Sequence, residues 1–223
     1  MMGDQALNST NHAIHGKHAR PLRFGRLGLH VGLGLLSLWI ALEFLSPAQE
    51  QFFTGLIASI TSLIEVTRFK VPSFNMWILD IGARFAHEQE AKRVTSATWF
   101  WVAMFPIALI GHELVFALTL GVLSLGDQVA GIVGRRFGSI SLGNGRSLQG
   151  TLAFILSSAL LCFTMLHFYF PELSVQHMVW LTVVASCSGA LFEMLCSRID
   201  DNFGVGIGTG LCVWATAVLL GIA

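Results

Sequence analysis

Long apolar stretches alternate with short polar ones along most of the chain. A spanning helix needs about 20 apolar residues, and fewer where the bilayer thins or the flanking side chains reach the interface. Seven stretches meet or approach this length, at residues 27–46, 52–66, 97–111, 113–134, 150–170, 178–196 and 204–222. The second and third are short, as in a re-entrant helix or one tightly paired with a neighbour. The pattern predicts an all-α polytopic membrane helix bundle with about seven transmembrane helices.

Composition supports a membrane protein. The 223 residues are 54% hydrophobic and 12% charged, whereas soluble domains carry roughly 25% charged residues. Residues 1–22 are polar and rich in His and Asn, and they lack the apolar core of a signal peptide. We therefore expect a disordered cytoplasmic tail at 1–22 and a single membrane-embedded domain at 23–223. We expect no nucleic-acid partner, and the pattern leaves the oligomeric state open.

The basic residues are distributed unevenly between the polar loops. Cytoplasmic loops carry an excess of Lys and Arg. All thirteen basic residues fall on one side of a seven-span arrangement whose N-terminus is cytoplasmic, and the loops at 46–51, 111–113 and 171–177 contain none. This asymmetry predicts a multi-pass protein of the cell (inner) membrane, with its polar loops and any active site facing the cytoplasm.

The first candidate for chemistry is Asp127, within the run GDQVAGIVGRRFG at 126–138. An acid at membrane depth is costly and suggests a functional site with a partner nearby. Helical spacing places Asp127, Gly131 and Arg135 on one stripe, and Gly126 lies on a second stripe of small residues that allows close helix packing. The alternative is a structural one, in which Asp127 forms a salt bridge with an arginine at a glycine-lined helix contact.

The second candidate is the glycine-rich loop at 138–150, which also contains Arg146 and Ser147. Glycine-rich backbone can turn its amides toward phosphate oxygens, and an arginine can bind them with two parallel hydrogen bonds. The loop lacks the Gly-Lys-Ser/Thr ending of a Walker A sequence and has no preceding strand. It therefore favours phosphate binding only together with the other candidates, because such loops are more often simply flexible.

A third set lies near the end of the sixth apolar stretch, where Glu193 is followed by Asp200, Asp201 and Asn202. Adjacent carboxylates and an amide supply hard oxygen ligands, and Mg²⁺ is commonly held by one or two carboxylates together with substrate phosphates. The spacing is equally typical of a solvated turn at a helix end.

Further polar residues flank the first and third stretches. They are Arg26 and His30 at the start of the first, and Arg84, Glu88, Arg93 and Thr95 before the third. Each has an alternative explanation, because arginine often anchors the headgroup region and a histidine may be satisfied by a neighbour. In the predicted topology all of these sets converge on one membrane face, which favours a shared site.

Taken in order, these motifs resemble the dolichol kinase, phytol kinase and CTP-dependent diacylglycerol kinase family, which is distantly similar to the phosphatidate cytidylyltransferases. The run at 126–138 matches that family's GD-x-x-A-x-x-x-G-R-R-F-G motif. Glu193 and the segment 200–202 resemble its late Glu and Asp-Asp-Asn. The family's Arg-Lys-x-x-His appears at 26–30 with Leu27 in place of lysine, and its Lys-Ser-x-Glu-Gly appears at 146–150 with Arg146 and Gln149.

The resemblance implies transfer of the γ-phosphoryl group of CTP to a membrane lipid alcohol, such as a polyprenol, a phytol-like isoprenoid or diacylglycerol. It implies Mg²⁺ as cofactor, and a set of residue roles. Asp127 would act with Asp200, Asp201 and Asn202 on the metal. Glu193 or His30 would accept the hydroxyl proton. The nucleotide and its phosphates would be bound by Gly126, Arg135, Arg136, Gly138, Arg146 and Ser147. The substrate entrance would be formed by Arg26, Arg84, Glu88, Arg93 and Thr95.

Two alternatives remain open at this stage. A cytidylyltransferase would attack the α-phosphorus and form a CDP-lipid. A non-catalytic member would bind lipid or partner proteins, and the loss of the two family lysines, which are replaced here by Leu27 and Arg146, is the argument for it.

Overall fold

A computed structural model describes residues 24–81, 93–143, 145–196 and 200–222. The predicted tail at 1–22 lies outside this part of the chain. The described residues form eight helices and one two-stranded hairpin, in this order: α1 Phe24–Phe44, α2 Pro47–Lys70, α3 Pro72–Ile81, α4 Ser96–Leu109, α5 Glu113–Phe137, β1 Ser141–Gly143, β2 Arg146–Ser147, α6 Leu148–Tyr169, α7 Val175–Leu195 and α8 Asp201–Leu219. The all-helical prediction is therefore confirmed, and each predicted apolar stretch corresponds to one helix.

Helix α5 forms the centre of the bundle. It contacts α1, α4, α6, α7 and α8, and every residue from Leu114 to Ser124 is buried. Because α5 is enclosed by protein, polar groups in its C-terminal half can be held by neighbouring helices rather than exposed to lipid.

Five helices, α2, α5, α6, α7 and α8, are long and apolar enough to cross a membrane, while residues 28–44 of α1 and helix α4 are shorter apolar segments. Many large hydrophobic side chains are exposed on the outer faces, among them Leu156, Leu160 and Leu219. Soluble monomers rarely expose so much apolar surface, and these features indicate an integral membrane protein.

Helix α2 is longer than the sequence pattern indicates. The prediction of a short span at 52–66 is wrong, since the helix runs for 24 residues from Pro47 to Lys70. Proline is well tolerated at the first helical position, where its missing N–H is not needed. The apolar count underestimated the helix because Glu50, Glu65 and Arg68 lie in it as buried polar residues.

Helix α3 lies in the segment that the sequence analysis treated as a polar loop. It spans ten residues from Pro72 to Ile81 and contacts α2. Met76 and Trp77 are exposed on it, and the rings of Phe74 and Trp77 stack at 5.7 Å. The helix was missed because it is too short to span a bilayer, although its apolar residues were visible in the sequence.

Close packing of α5 against α6 depends on small residues. A Cβ atom added at Gly126 would lie 2.6 Å from the Phe154 ring and 2.7 Å from Ser158 Oγ. One added at Gly150 would lie 3.0 Å from the Ala130 carbonyl oxygen. The predicted stripe of small residues therefore does face a neighbouring helix, and it fixes the position of Asp127 relative to the start of α6.

The ends of the helices separate into two polar zones. At one end Tyr169 donates a 2.9 Å hydrogen bond to Glu43 Oε1, which joins the last residues of α1 and α6. The same end of the bundle contains His112, between α4 and α5, and Ile222, after α8. His112 Nε2 lies 3.2 Å from the Ile222 carbonyl oxygen. The other end contains the C-terminal parts of α5 and α7 and the starts of α6 and α8, and there most of the predicted site residues meet.

Candidate functional site

A small hairpin follows the central helix and leads the chain into α6. Strands β1 and β2 pair antiparallel, and the turn between them requires glycine because Gly143 and Gly145 have φ angles of 90° and 77°. Added Cβ atoms at these two positions would meet nothing within 4 Å. The hairpin tip is thus open, and its second strand delivers Arg146 to the interior of the helix ends.

Arg146 is surrounded by three carboxylates from three different helices. Its Nη1 lies 2.6 Å from Oε1 of Glu193 on α7 and 3.4 Å from Oδ1 of Asp127 on α5. Its Nη2 lies 2.8 Å from Oδ2 of Asp201 on α8. We call these four residues the acid cluster. Residues far apart in sequence, from three of the predicted sets, therefore form one contiguous group.

The acid cluster has one positive charge for three carboxylates and contains unsatisfied oxygens. Glu193 is only 2% exposed, and its Oε2 atom has no hydrogen-bond partner among the described residues. The adjacent Asn202 is 4% exposed, and its Oδ1 atom is likewise unpartnered within the described chain. Buried polar atoms are normally hydrogen-bonded, so these oxygens indicate a place for a further donor or a cation.

Asp200 lies beside the cluster at the start of α8. Ser96 Oγ donates a 3.0 Å hydrogen bond to Asp200 Oδ2, and Asn202 Nδ2 donates one of 3.1 Å to Oδ1. Burial, followed by the neighbouring charge of Asp201, raises the pKa of Asp200 above its ordinary value, although these hydrogen bonds oppose the shift. Asp200 thus connects the acid cluster to α4.

The charge state of Arg146 reflects its acidic surroundings. Burial disfavours the charged guanidinium, yet the carboxylates of Glu193, Asp127 and Asp201 outweigh this effect and raise the pKa of Arg146 above its ordinary value. The Arg146 side chain is therefore always positively charged, and it partly neutralises the carboxylates around it.

A pocket opens next to the acid cluster, between the end of α5 and the start of α6. Its empty volume is about 440 Å³ including the open mouth. It is lined by Ala130, Gly131, Gly134, Arg135, Gly145, Arg146, Ser147, Gly150, Thr151 and Glu193. Small residues, two arginines and a helix start are the features of anion sites, and two residues of the acid cluster, Arg146 and Glu193, line this pocket.

The predicted phosphate-binding residues occupy different positions around this pocket. Arg135 is exposed on the pocket wall, and its side chain extends back over Gly131. A Cβ atom added at Gly131 would lie 3.1 Å from the Arg135 guanidinium. Arg136 is also exposed and its guanidinium carbon lies 5.6 Å from the Phe137 ring centroid. Gly138 is the C-cap of α5. Ser147 is the N-cap of α6, where its Oγ accepts a 3.2 Å hydrogen bond from the Gly150 N–H.

The remaining predicted residues are spread more widely. His30 Nε2 lies 3.4 Å from the Leu123 carbonyl oxygen, and its ring packs edge-on against Phe100 at 5.5 Å. The side chain of Arg26 and residues Arg84 and Glu88 lie outside the described residues.

Arg93 and Thr95 belong to a buried network that joins α2 to α4. Arg68 pairs with Glu65 at 2.7 Å, and it donates hydrogen bonds to the Arg93 carbonyl oxygen and, at 3.2 Å, to Asn75 Oδ1. Glu65 Oε1 accepts from the Thr95 N–H at 3.1 Å. This network fixes the start of α4, and hence the position of Ser96 against Asp200.

Three contributing residues were not identified from the sequence. Ser96 donates to Asp200, and Thr151 Oγ1 is buried in the pocket wall with no partner in the part of the chain described. Gln149 Oε1 accepts from the backbone N–H groups of Ser139 and Ile140 at 3.1 and 3.3 Å. Gln149, which departs from the family pattern, therefore braces the loop after α5. For Ser96 and Thr151, the signal available in the sequence was a hydroxyl residue near the start of a helix.

Several oxygen atoms of the acid cluster and its neighbours are of the kind that could bind a cation. Among the described residues, no group of three His, Cys, Asp or Glu side chains is arranged to hold a metal by itself. Mg²⁺ is usually held by one or two carboxylates and completed by substrate phosphates and water. Asp127 and Asp201, with the unpartnered oxygens of Glu193 and Asn202, provide hard oxygen donors of this kind beside the pocket.

Comparison with known proteins gives one partial likeness. The chain is 36% identical to dolichol kinase of Saccharomyces cerevisiae over 83 residues, which are 36% of this chain and 15% of the yeast protein. No family model matches the chain, and no solved structure matches it. The short match supports a likeness to polyprenol kinases at most.

Proposed function

We propose that this protein is a nucleotide-dependent kinase that phosphorylates a lipid alcohol at the membrane interface, with CTP as the donor. The observation that carries the proposal is the acid cluster, of which Arg146 and Glu193 line a glycine-rich pocket at the end of a membrane helix bundle. The partial identity to dolichol kinase supports the same chemistry. A polyprenol is the first substrate to examine, before other isoprenoid alcohols and diacylglycerol.

Phosphoryl transfer depends on positioning and charge neutralisation more than on covalent catalysis. The lipid hydroxyl oxygen forms a bond to the γ-phosphorus, the bond between that phosphorus and the β–γ bridging oxygen breaks, and CDP leaves. The hydroxyl proton passes to a base. In the pocket, Arg135, the Gly145 backbone and the Thr151 hydroxyl are the groups available to bind phosphate oxygens.

Glu193 is the better supported candidate for the base. Its carboxylate is buried at the pocket wall, and its Oε2 atom has no partner in the described chain. A general base must be within hydrogen-bond reach of the proton that it removes. His30 remains a second candidate, although its Nε2 atom already faces the Leu123 carbonyl oxygen.

Magnesium would be held by Asp127 and Asp201, with Asn202 and Asp200 in support. The ion would supply positive charge to the phosphates and stabilise the charge that develops in transfer. The protein's own part is to hold these carboxylates together, through the α5–α6 packing at Gly126 and the hydrogen bond from Ser96 to Asp200.

We further propose that seven of the eight described helices, all except α3, span the membrane, with the N-terminus and the acid cluster on the cytoplasmic side. The one-sided distribution of the thirteen basic residues supports this orientation. It would give the site direct access to cytoplasmic nucleotide, while the lipid alcohol approaches within the bilayer.

The test is a product analysis with purified full-length protein, Mg²⁺, γ-labelled or α-labelled CTP and a panel of lipid alcohols. The proposal requires transfer of the γ-label to lipid and release of CDP. Release of pyrophosphate with α-label in the lipid would instead identify a cytidylyltransferase. No labelled lipid from CTP or ATP with any alcohol of the panel would contradict the enzymatic proposal.

A further inference from the structure

Arg146 occupies the position among the carboxylates where a metal cation would be expected. Its two terminal nitrogens contact acids from α5, α7 and α8 at 3.4, 2.6 and 2.8 Å. An arginine fork can satisfy several carboxylates at once because it presents five donors in a fixed plane. In the nucleotide-free protein, therefore, the guanidinium reduces the repulsion between three acids that helix packing holds together.

The neutralisation by Arg146 is incomplete. One cation faces three carboxylates, and a fourth acid, Asp200, directly precedes Asp201 in the chain. Within the described residues, Glu193 Oε2 and Asn202 Oδ1 are buried oxygens with no hydrogen-bond partner. Both residues are more than nine-tenths buried. The cluster thus has oxygen ligands and negative charge in excess of what Arg146 satisfies.

Arg146 lies on the hairpin rather than on a helix, and it already lines the pocket beside the acids. Gly145 precedes it with a positive φ, and added side chains at Gly143 and Gly145 would meet nothing within 4 Å. The acids, in contrast, are fixed on α5, α7 and α8, which pack against one another. A displacement of the guanidinium into the pocket therefore requires reorientation of the Arg146 side chain and no movement of these helices.

We propose that Arg146 is an internal counter-cation which a divalent metal ion displaces from Asp127, Glu193 and Asp201. The displaced guanidinium then lies in the adjacent pocket, where it binds the phosphates that arrive with the metal. Only this second half rests on the proposed function. Metal binding and phosphate binding then support each other. The metal releases the guanidinium to bind phosphate, and bound phosphate keeps the guanidinium away from the carboxylates that bind the metal.

The first test measures Mn²⁺ affinity of the full-length protein in detergent, without nucleotide or lipid, by titration calorimetry. Arg146→Ala removes the competing cation and should tighten Mn²⁺ binding at least about tenfold. Arg135→Ala is the matched control, because it removes one positive charge from the same pocket but no contact with the acids described here. It should change the affinity less than about threefold.

Two results of this titration would overturn the proposal. One is an unchanged or weakened Mn²⁺ affinity in Arg146→Ala, and the other is an equal gain in Arg135→Ala, which would reflect general electrostatics. Because the assay contains no CTP, its outcome is independent of whether the protein is a kinase. A gain confined to Arg146→Ala would support the displacement even if no lipid is phosphorylated.

A second measurement uses the wild-type protein and so does not depend on the folding of a variant. Modification of arginines by phenylglyoxal is followed by mass spectrometry, with the exposed Arg136 as internal reference. Adding Mg²⁺ should increase modification of Arg146 relative to Arg136 severalfold, since the guanidinium leaves the carboxylates. Unchanged or decreased modification of Arg146 at saturating Mg²⁺ would show that the ion does not displace it.

Discussion

Nη1 of Arg146 lies 2.6 Å from Oε1 of Glu193, and this contact joins the hairpin after the central helix to the end of α7. It is the shortest of the three ion pairs in the acid cluster, and Glu193 is the most buried of the three acids. A buried carboxylate of this kind is costly unless it is paired. Glu193 also lines the pocket, and we therefore give the residue a chemical as well as a structural role.

Glu193→Gln should separate these roles. The amide preserves the shape, and Arg146 keeps two acids, so thermal stability should fall little or rise. Turnover should fall at least about a hundredfold if Glu193 accepts the hydroxyl proton. The measurement is phosphoryl transfer per folded molecule beside the melting temperature, with Glu172→Gln as a control at an exposed glutamate. A variant with full turnover would exclude Glu193 as the base.

The Glu65–Arg68 pair should be structural. Both side chains are nearly inaccessible, at 7% and 1% exposure, and Glu65→Gln would leave a buried arginine without its carboxylate. Breaking a buried pair from one side costs about 3–5 kcal/mol, so the melting temperature in detergent should fall clearly. Glu172→Gln again serves as the control. A Glu65→Gln variant as stable as the control would show that the network does not hold α2 and α4 together.

Helix packing at Gly126 should tolerate no added methyl group. Gly126→Ala places a Cβ 2.6 Å from the buried Phe154 ring, and overpacking of this kind costs about 1–3 kcal/mol. Gly28→Ala is the control, since nothing lies within 4 Å of the added atom. Thermal unfolding of the two variants should show a loss for Gly126→Ala only, and equal melting temperatures would contradict the α5–α6 contact.

The proposed orientation is tested by cysteine labelling on a background in which Cys162, Cys187, Cys196 and Cys212 are replaced. Cysteines at His112 and Glu172 should react only with a membrane-impermeant reagent added outside the cell. A cysteine at Ser139, in the exposed loop after α5, should react only in inverted vesicles. Labelling of position 112 or 172 from the cytoplasmic side would contradict the seven-span arrangement.

Much of the helical layout follows from the pattern of apolar residues. Every predicted stretch coincides with a helix, and the small-residue stripe through Gly126 was identified from its spacing alone. The length of α2 was not predicted, because hydropathy treats Glu50, Glu65 and Arg68 as unfavourable in a span. Hydropathy contains no information on their burial in the folded protein. Helix α3 was missed because span length was the criterion applied.

The composition of the site was predictable, but its pairings were not. Asp127, Arg146, Glu193 and Asp201 were all selected from the sequence, yet a salt bridge of Asp127 to an arginine was considered only as the structural alternative, and Arg146 was not identified as its partner. Arg135 and Arg136 are instead exposed, and the partner is Arg146 on the hairpin. Such contacts depend on helix packing and on the turn at Gly143 and Gly145, which local spacing does not determine.

The central claim is that Asp127 acts in phosphoryl transfer rather than only in packing. Its most direct test measures transfer of the γ-phosphoryl group from CTP to a polyprenol, together with the melting temperature, for wild type and Asp127→Asn purified in detergent. The amide keeps the size of the side chain but removes the charge, and Arg146 retains Glu193 and Asp201. The account predicts a folded variant with turnover reduced at least about a hundredfold. Near-wild-type turnover per folded Asp127→Asn molecule, with a lowered melting temperature, would contradict it.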